Sequence, residues 1–157
     1  MMTSVIVMMT SVVATAAAQA QTDSAAPGTR LVRIALPEFS AAGAEERILA
    51  RDITRAVTFN LASTNLEIDL VSNAIGHVDS VPRFSDWRAI KAQALVVGRV
   101  SFLGERLKTE ARLWNVATGH QIWGGQFFSK PDEWQRLADM LSELLYEKLT
   151  GEQRSFP

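Results

Sequence analysis

Residues 94–116 decide the fold and read ALVVGRVSFLGERLKTEARLWNV. The first five residues are a continuous apolar run, which is typical of a central strand covered on both faces. From Arg106 onward apolar and charged residues alternate, which predicts a second strand with one face against a core. Gly104 lies between the two segments, where a turn can join them. The stretch therefore predicts an antiparallel pair of strands in the middle of the domain.

The flanking sequence adds three more strands and three helices. Strands are predicted at 31–36, which ends before Pro37, at 66–71 and at 121–128. Helices are predicted at 44–62, over two turns near 85–91, and from Pro131 to a stop at Gly151. The order is β-α-β-α-β-β-β-α. It predicts an α+β fold in which helices pack on a mixed, mostly antiparallel sheet.

The whole chain has 157 residues and a formal net charge of −1. Its first 20 residues differ sharply in composition from the residues that follow. They contain no Asp, Glu, Lys or Arg and end in Ala18-Gln19-Ala20. An apolar core followed by a small-x-small site predicts a secretory signal peptide with Ala18 and Ala20 at the cleavage site. A membrane anchor and a cytosolic tail remain as alternatives, because the start lacks the usual basic residues.

The remaining chain is predicted to divide into an arm, a domain and a tail. Residues 21–30 read QTDSAAPGTR, a small and polar composition that predicts a flexible N-terminal arm. The domain is expected to span residues 31–152. Residues 153–157 are expected to form a tail.

Composition excludes several classes of function. Sixteen basic and 17 acidic residues nearly cancel, so nucleic acid is not expected as a partner. The chain has no cysteine and no glycine-rich phosphate loop, and its two histidines, His77 and His120, lie 43 residues apart. Gly124-Gly125 falls within a strand pattern and indicates a bulge or close packing. We therefore expect no catalytic residues, metal, cofactor or small-molecule substrate.

Four tryptophans are the richest remaining signal. Trp87 and Trp134 lie on predicted helices and are expected to face the core. Trp114 directly follows the alternating strand and points away from the face that contains Leu107 and Leu113. Trp114 is therefore a candidate contact point on the outer face of the sheet.

Three segments resemble the amino-terminal domain of the TolB family. Residues 84–100 resemble that family's D-W-x-x-x-x-A-x-x-L-V-x-G, and residues 112–119, RLWNVATG, resemble its R-L-W-D-V strand and turn. Residues 146–152, YEKLTGE, resemble the Y-E-x-L-T-G-E that closes its last helix. Order and spacing agree from Leu31 to Glu152.

The resemblance implies a non-enzymatic periplasmic adaptor of the Tol-Pal system, linked to envelope integrity, cell division and protein (toxin) import. In that family an apolar, strand-forming N-terminal arm engages TolA, and a C-terminal β-propeller binds Pal. This chain stops at Pro157, before a propeller, and its arm is polar. The resemblance implies TolA as the candidate partner. Pal binding is not expected, because the sequence ends before a propeller. A truncated TolB, a gene fragment and a separate paralogue are all compatible with this length.

The leading hypothesis is a periplasmic protein-interaction domain that presents an edge strand at 31–36, or its arm, to a protein partner. The candidate contact residues are Arg30, Leu31, Val32, Arg33, Ile34 and Trp114. One alternative is a free-standing envelope module that regulates an enzyme or a secretion machine. A small-ligand or hydrolytic protein is the weakest alternative, because the sequence shows no convergent polar set.

Overall fold

The computed structural model describes residues 32–71 and 78–157. Five strands and three helices follow the predicted order, with a short 3-10 turn, Pro131–Glu133, before the last helix. The strands are β1 (Arg33–Pro37), β2 (Glu67–Val71), β3 (Ala94–Leu103), β4 (Arg106–Asn115) and β5 (Gln121–Ser129). The helices are α1 (Ala44–Ala62), α2 (Phe84–Ala89) and α3 (Trp134–Thr150). The predicted α+β class is confirmed.

The five strands form one mixed sheet in the order β2-β1-β3-β4-β5. β1 runs parallel to both β2 and β3, whereas β3, β4 and β5 form an antiparallel meander. The antiparallel ladders extend along nearly the whole of these strands, and the parallel pairing of β1 with β3 is short. Most of the pairing is therefore antiparallel, as the alternating pattern of 106–116 predicts.

The prediction that 31–36 forms an edge strand is wrong, because β1 has a neighbour on each side. Helix α1 returns the chain so that β2 pairs with β1 over its full length. On the other side Ile34 and Ala35 pair with Ala94 and Leu95 of β3. Within the described residues the open edges of the sheet are β2 and β5.

Each face of the sheet has its own core. Helices α1 and α3 cover one face, where Ile53 and Leu141 pack against the inward side chains of the strands, such as Val96 and Leu113. The apolar residues of α1 recur every fourth position, so the helix buries one stripe and leaves its charged side in solvent. A smaller core under α2 on the opposite face contains Trp87.

The end of the chain packs against α3. Gly151 ends that helix with a positive φ of 78°, the left-handed conformation that glycine adopts readily. Beyond it, Phe156 is buried against Tyr146, with ring centroids 6.4 Å apart, and its amide donates a hydrogen bond to Glu143 Oε1 at 3.2 Å. The segment predicted as a tail therefore contributes one side chain to the core.

Candidate interaction surfaces

Arg33 fixes the point at which the chain enters the sheet. Its guanidinium pairs with Glu67 and lies 3.6 Å from the carboxylate of Asp69, both on β2. The same side chain donates to the carbonyl of Ile90 at 3.3 Å, and its amide donates to Gln93 Oε1 at 3.1 Å. The hydrogen bond and charge of Glu67 raise the pKa of Arg33 above its ordinary value. Arg33 is therefore an anchor between β2 and the segment that leads into β3.

The other candidate residues of this region differ in accessibility. Val32 is half-buried, and its carbonyl accepts a hydrogen bond from the Glu67 amide at 3.1 Å. Ile34 is fully buried in the main core, so its side chain is closed to a partner. Arg30, Leu31 and the predicted cleavage residues Ala18 and Ala20 lie outside the described residues.

Trp114 points to the predicted face, but the expectation that it is exposed is wrong. Only 6% of the residue is accessible, because α2 and the residues beside it cover this part of the sheet. Its ring lies 5.7 Å from that of Phe84 at an angle of 60°, and it shares the smaller core with Trp87 and Leu95. Its Nε1 has no hydrogen-bond partner within the described residues. Burial in this core gives Trp114 a structural role.

A cluster of charges that the sequence analysis missed lies on the same face of the sheet. Arg99 on β3 donates to Glu110 Oε2 on β4 from two nitrogens, at 2.9 and 2.5 Å, and also pairs with Asp79. Lys108 Nζ lies 3.0 Å from Glu110 Oε1. Burial alone raises the pKa of Glu110, but the hydrogen bonds from Arg99 and Lys108 outweigh it and hold that pKa below its ordinary value.

Glu110→Gln is expected to lower the free energy of unfolding by roughly 1–2 kcal/mol at pH 7, because it removes the charged acceptor of two cations. A lowered carboxylate pKa stabilises the fold above the unfolded-state pKa, and this contribution is lost as the pH falls through the folded-state pKa. The difference between variant and parent should therefore shrink below about pH 4. Urea denaturation at pH 7 and pH 3 measures it.

The control is Asp79→Asn, because the Asp79 side chain is 68% exposed and its ion pair contributes little. If the difference in free energy of unfolding between Glu110→Gln and the parent stayed constant from pH 7 to pH 3, the ion pairs of Glu110 would not be the cause of the lost stability.

The remaining residues considered from the sequence are histidines, acidic residues and a glycine pair. Within residues 32–71 and 78–157, no group of three His, Cys, Asp or Glu side chains could hold a metal ion. His120 is exposed at the turn before β5, and His77 lies outside the described residues. Gly125 packs closely, as predicted, because a Cβ there would lie 2.4 Å from the ring of Trp123. No helix among the described residues has the length and apolarity needed to cross a bilayer.

The described surfaces belong to a small α+β domain with two helices on one face of a mixed sheet and a short helix on the other. The chain belongs to the TolB amino-terminal domain family, whose model matches residues 23–122. The family resemblance is thereby confirmed, and two of the three segments that carry it, 84–100 and 112–119, lie within the matched residues.

Solved structures share this fold at low sequence identity. TolB from Acinetobacter baumannii superposes with a TM-score of 0.65 at 16% identity, over 79% of this chain and 29% of that one. The PelC dodecamer from Paraburkholderia phytofirmans gives 0.54 at 12% identity, over 78% of this chain and 90% of that one. Protein XCC0632 from Xanthomonas campestris gives 0.53 at 8% identity, over 76% and 86% of the two chains. The chain thus spans less than a third of the length of the TolB that it matches.

Proposed function

We propose that this chain is a non-catalytic periplasmic interaction module that contacts TolA through the residues that precede β1. The observation that supports it most is the extent of the family match, which begins at residue 23 and so includes most of the arm together with strands β1 to β4. A role in envelope integrity, in cell division and in toxin import belongs to the same proposal.

The position of β1 inside the sheet limits which residues at this end of the chain a partner could bind. Both sides of β1 are occupied by β2 and β3, so the backbone of this strand cannot accept an added strand. Arg33 holds the start of β1 through β2 and through Gln93. If β1 contributes to recognition, the partner is therefore expected to contact the residues before Arg33, and the candidate residues become Arg30, Leu31, Val32 and the arm.

The test is calorimetric titration of the purified chain with the periplasmic domain of TolA. Deleting residues 22–31 is expected to weaken binding at least about tenfold, or about 1.4 kcal/mol. The melting temperature should not change, because the deletion leaves β1 and its neighbours intact. Arg55→Glu, an exposed position on α1, is the control and should bind like the parent. Equal binding by the deletion variant, or no binding by the parent, would overturn the proposal.

A second candidate function is a free-standing envelope module that regulates an enzyme or a secretion machine. The match to PelC favours it, because that chain is covered over 90% of its own length and so consists almost entirely of this fold. Crosslinking in cells that recovers a partner other than TolA, with no TolA adduct, would favour this candidate over the first.

A further inference from the structure

The open edge of β5 differs from the usual edge of a soluble sheet. Natural edge strands are short or carry charges, prolines or bulges that prevent pairing with other chains. β5 has nine residues, QIWGGQFFS, with neither a charge nor a proline. The opposite edge, β2, has five residues, of which Glu67 and Asp69 are acidic. Only the start of β5 is irregular, at Ile122, and Trp123–Ser129 pairs regularly with β4.

A groove of about 410 Å³ lies beside the last four residues of β5. Its lining includes Phe127 and Ser129, which face α3, and also Gln126 and Phe128, which face the other side of the sheet. Side chains of both orientations line one groove where it wraps around the edge and the end of the strand. Leu137 and Met140 of α3 also line the groove, and Met140 is 47% exposed. The groove therefore lies where one end of an added strand would pass, beside residues 126–129.

The charges around the groove are mainly basic. Arg106 lies over the ring of the exposed Phe128, with its Cζ 5.0 Å from the ring centroid. Arg136 lines the groove from α3, and the acidic Glu133 lies beside it. Neither arginine forms an ion pair with any residue in the described part of the chain. The arginines flank β5 on its two faces.

We propose that β5 accepts an extended peptide segment of a protein partner that contains both apolar and acidic residues, arranged so that each face of the added strand carries both kinds. Backbone hydrogen bonds would add the segment to the open edge, and alternate side chains would reach the two faces. Its apolar side chains would pack on Phe128 and Met140, and its carboxylates would pair with Arg106 and Arg136. Pairing of two copies through β5 is disfavoured, because β5 carries no acidic residue that could pair with the arginines of the other copy.

The inference rests on the proposed interaction role but uses a surface distinct from the arm. The experiment is an NMR titration of the purified chain with a capped six-residue peptide, Val-Val-Glu-Glu-Val-Val, which spans about 20 Å when extended and carries one glutamate between two valines on each face. The expected result is amide shift changes concentrated in Gln121–Ser129. The same peptide with lysine in place of both glutamates should bind at least about tenfold more weakly.

The variant R106E/R136E is expected to weaken binding of the glutamate peptide at least about tenfold, and Arg55→Glu on α1 should leave it unchanged. Equal binding of the two peptides, shift changes away from β5, or dimerisation through β5 at the concentrations used would overturn the inference. TolA titration of R106E/R136E separates the two proposals. If the arm hypothesis alone fails, TolA is not bound by the parent, or is bound equally by the parent and the arm deletion, while the peptide still shifts β5.

Discussion

Trp114→Ala is expected to lower the free energy of unfolding by about 3–5 kcal/mol. The indole fills the smaller core between the sheet and α2, where it contacts Phe84 and neighbours Trp87. Because this core is formed by few residues, few neighbouring side chains can move in to fill the cavity that the missing ring leaves. Urea denaturation followed by circular dichroism measures the loss.

The matched control for that prediction is Phe128→Ala. Phe128 is also an aromatic residue of the meander, but it is 42% exposed, and its removal should cost about 1 kcal/mol or less. If Trp114→Ala left the stability within 1 kcal/mol of the parent and abolished binding of a partner, Trp114 would be a contact residue and its assignment to the core would be wrong.

Gly98→Ala is expected to lower the free energy of unfolding by about 1–3 kcal/mol. Gly98 lies on β3 beneath the ring of Phe39, and a Cβ at this position would lie 2.6 Å from three ring carbons. Phe39 is only 2% exposed, and hydrogen bonds hold its backbone in place. The amide of Phe39 donates to Thr54 Oγ1 at 3.0 Å. The next amide, that of Ser40, donates to the Gly98 carbonyl at 2.9 Å. The ring therefore has little freedom to move away.

A double-mutant cycle tests the cause of this loss. Phe39→Leu removes the ring that the new methyl group would meet, so Gly98→Ala should cost less in the Phe39→Leu background than in the parent. Ser101→Ala, at a half-buried position of the same strand, is the control for a change to alanine and should have a small effect. Strict additivity of the two substitutions would show that the Phe39 ring is not the obstacle.

Features with a local signal could be predicted from the sequence. The apolar run of β3, the alternation in β4 and the four-residue repeat in α1 each reflect the period of one element, so their type and order follow from the residues. The pair Arg99–Glu110 also had a usable signal. Gly104, with a φ of 61°, begins a two-residue turn that pairs Leu103 with Arg106, and counting back along that register brings Arg99 opposite Glu110.

Features that depend on distant segments could not be predicted in this way. The position of β1 inside the sheet depends on where β2 and β3 arrive, and the pattern of 31–36 has the same appearance in an edge strand and in an interior one. The orientation of Trp114 follows from alternation along β4, but its burial depends on α2, which lies more than twenty residues earlier in the chain. The groove beside β5 likewise needs α3 in place.

In-cell crosslinking tests the central claim, that the chain binds TolA through its arm. A photo-crosslinking residue is placed at position 26, within the arm, and in a control at position 55 on the exposed side of α1. We expect irradiation to give an adduct with TolA from position 26 and none from position 55. A folded, abundant protein that gives no TolA adduct from position 26, or equal adducts from both positions, would contradict the claim.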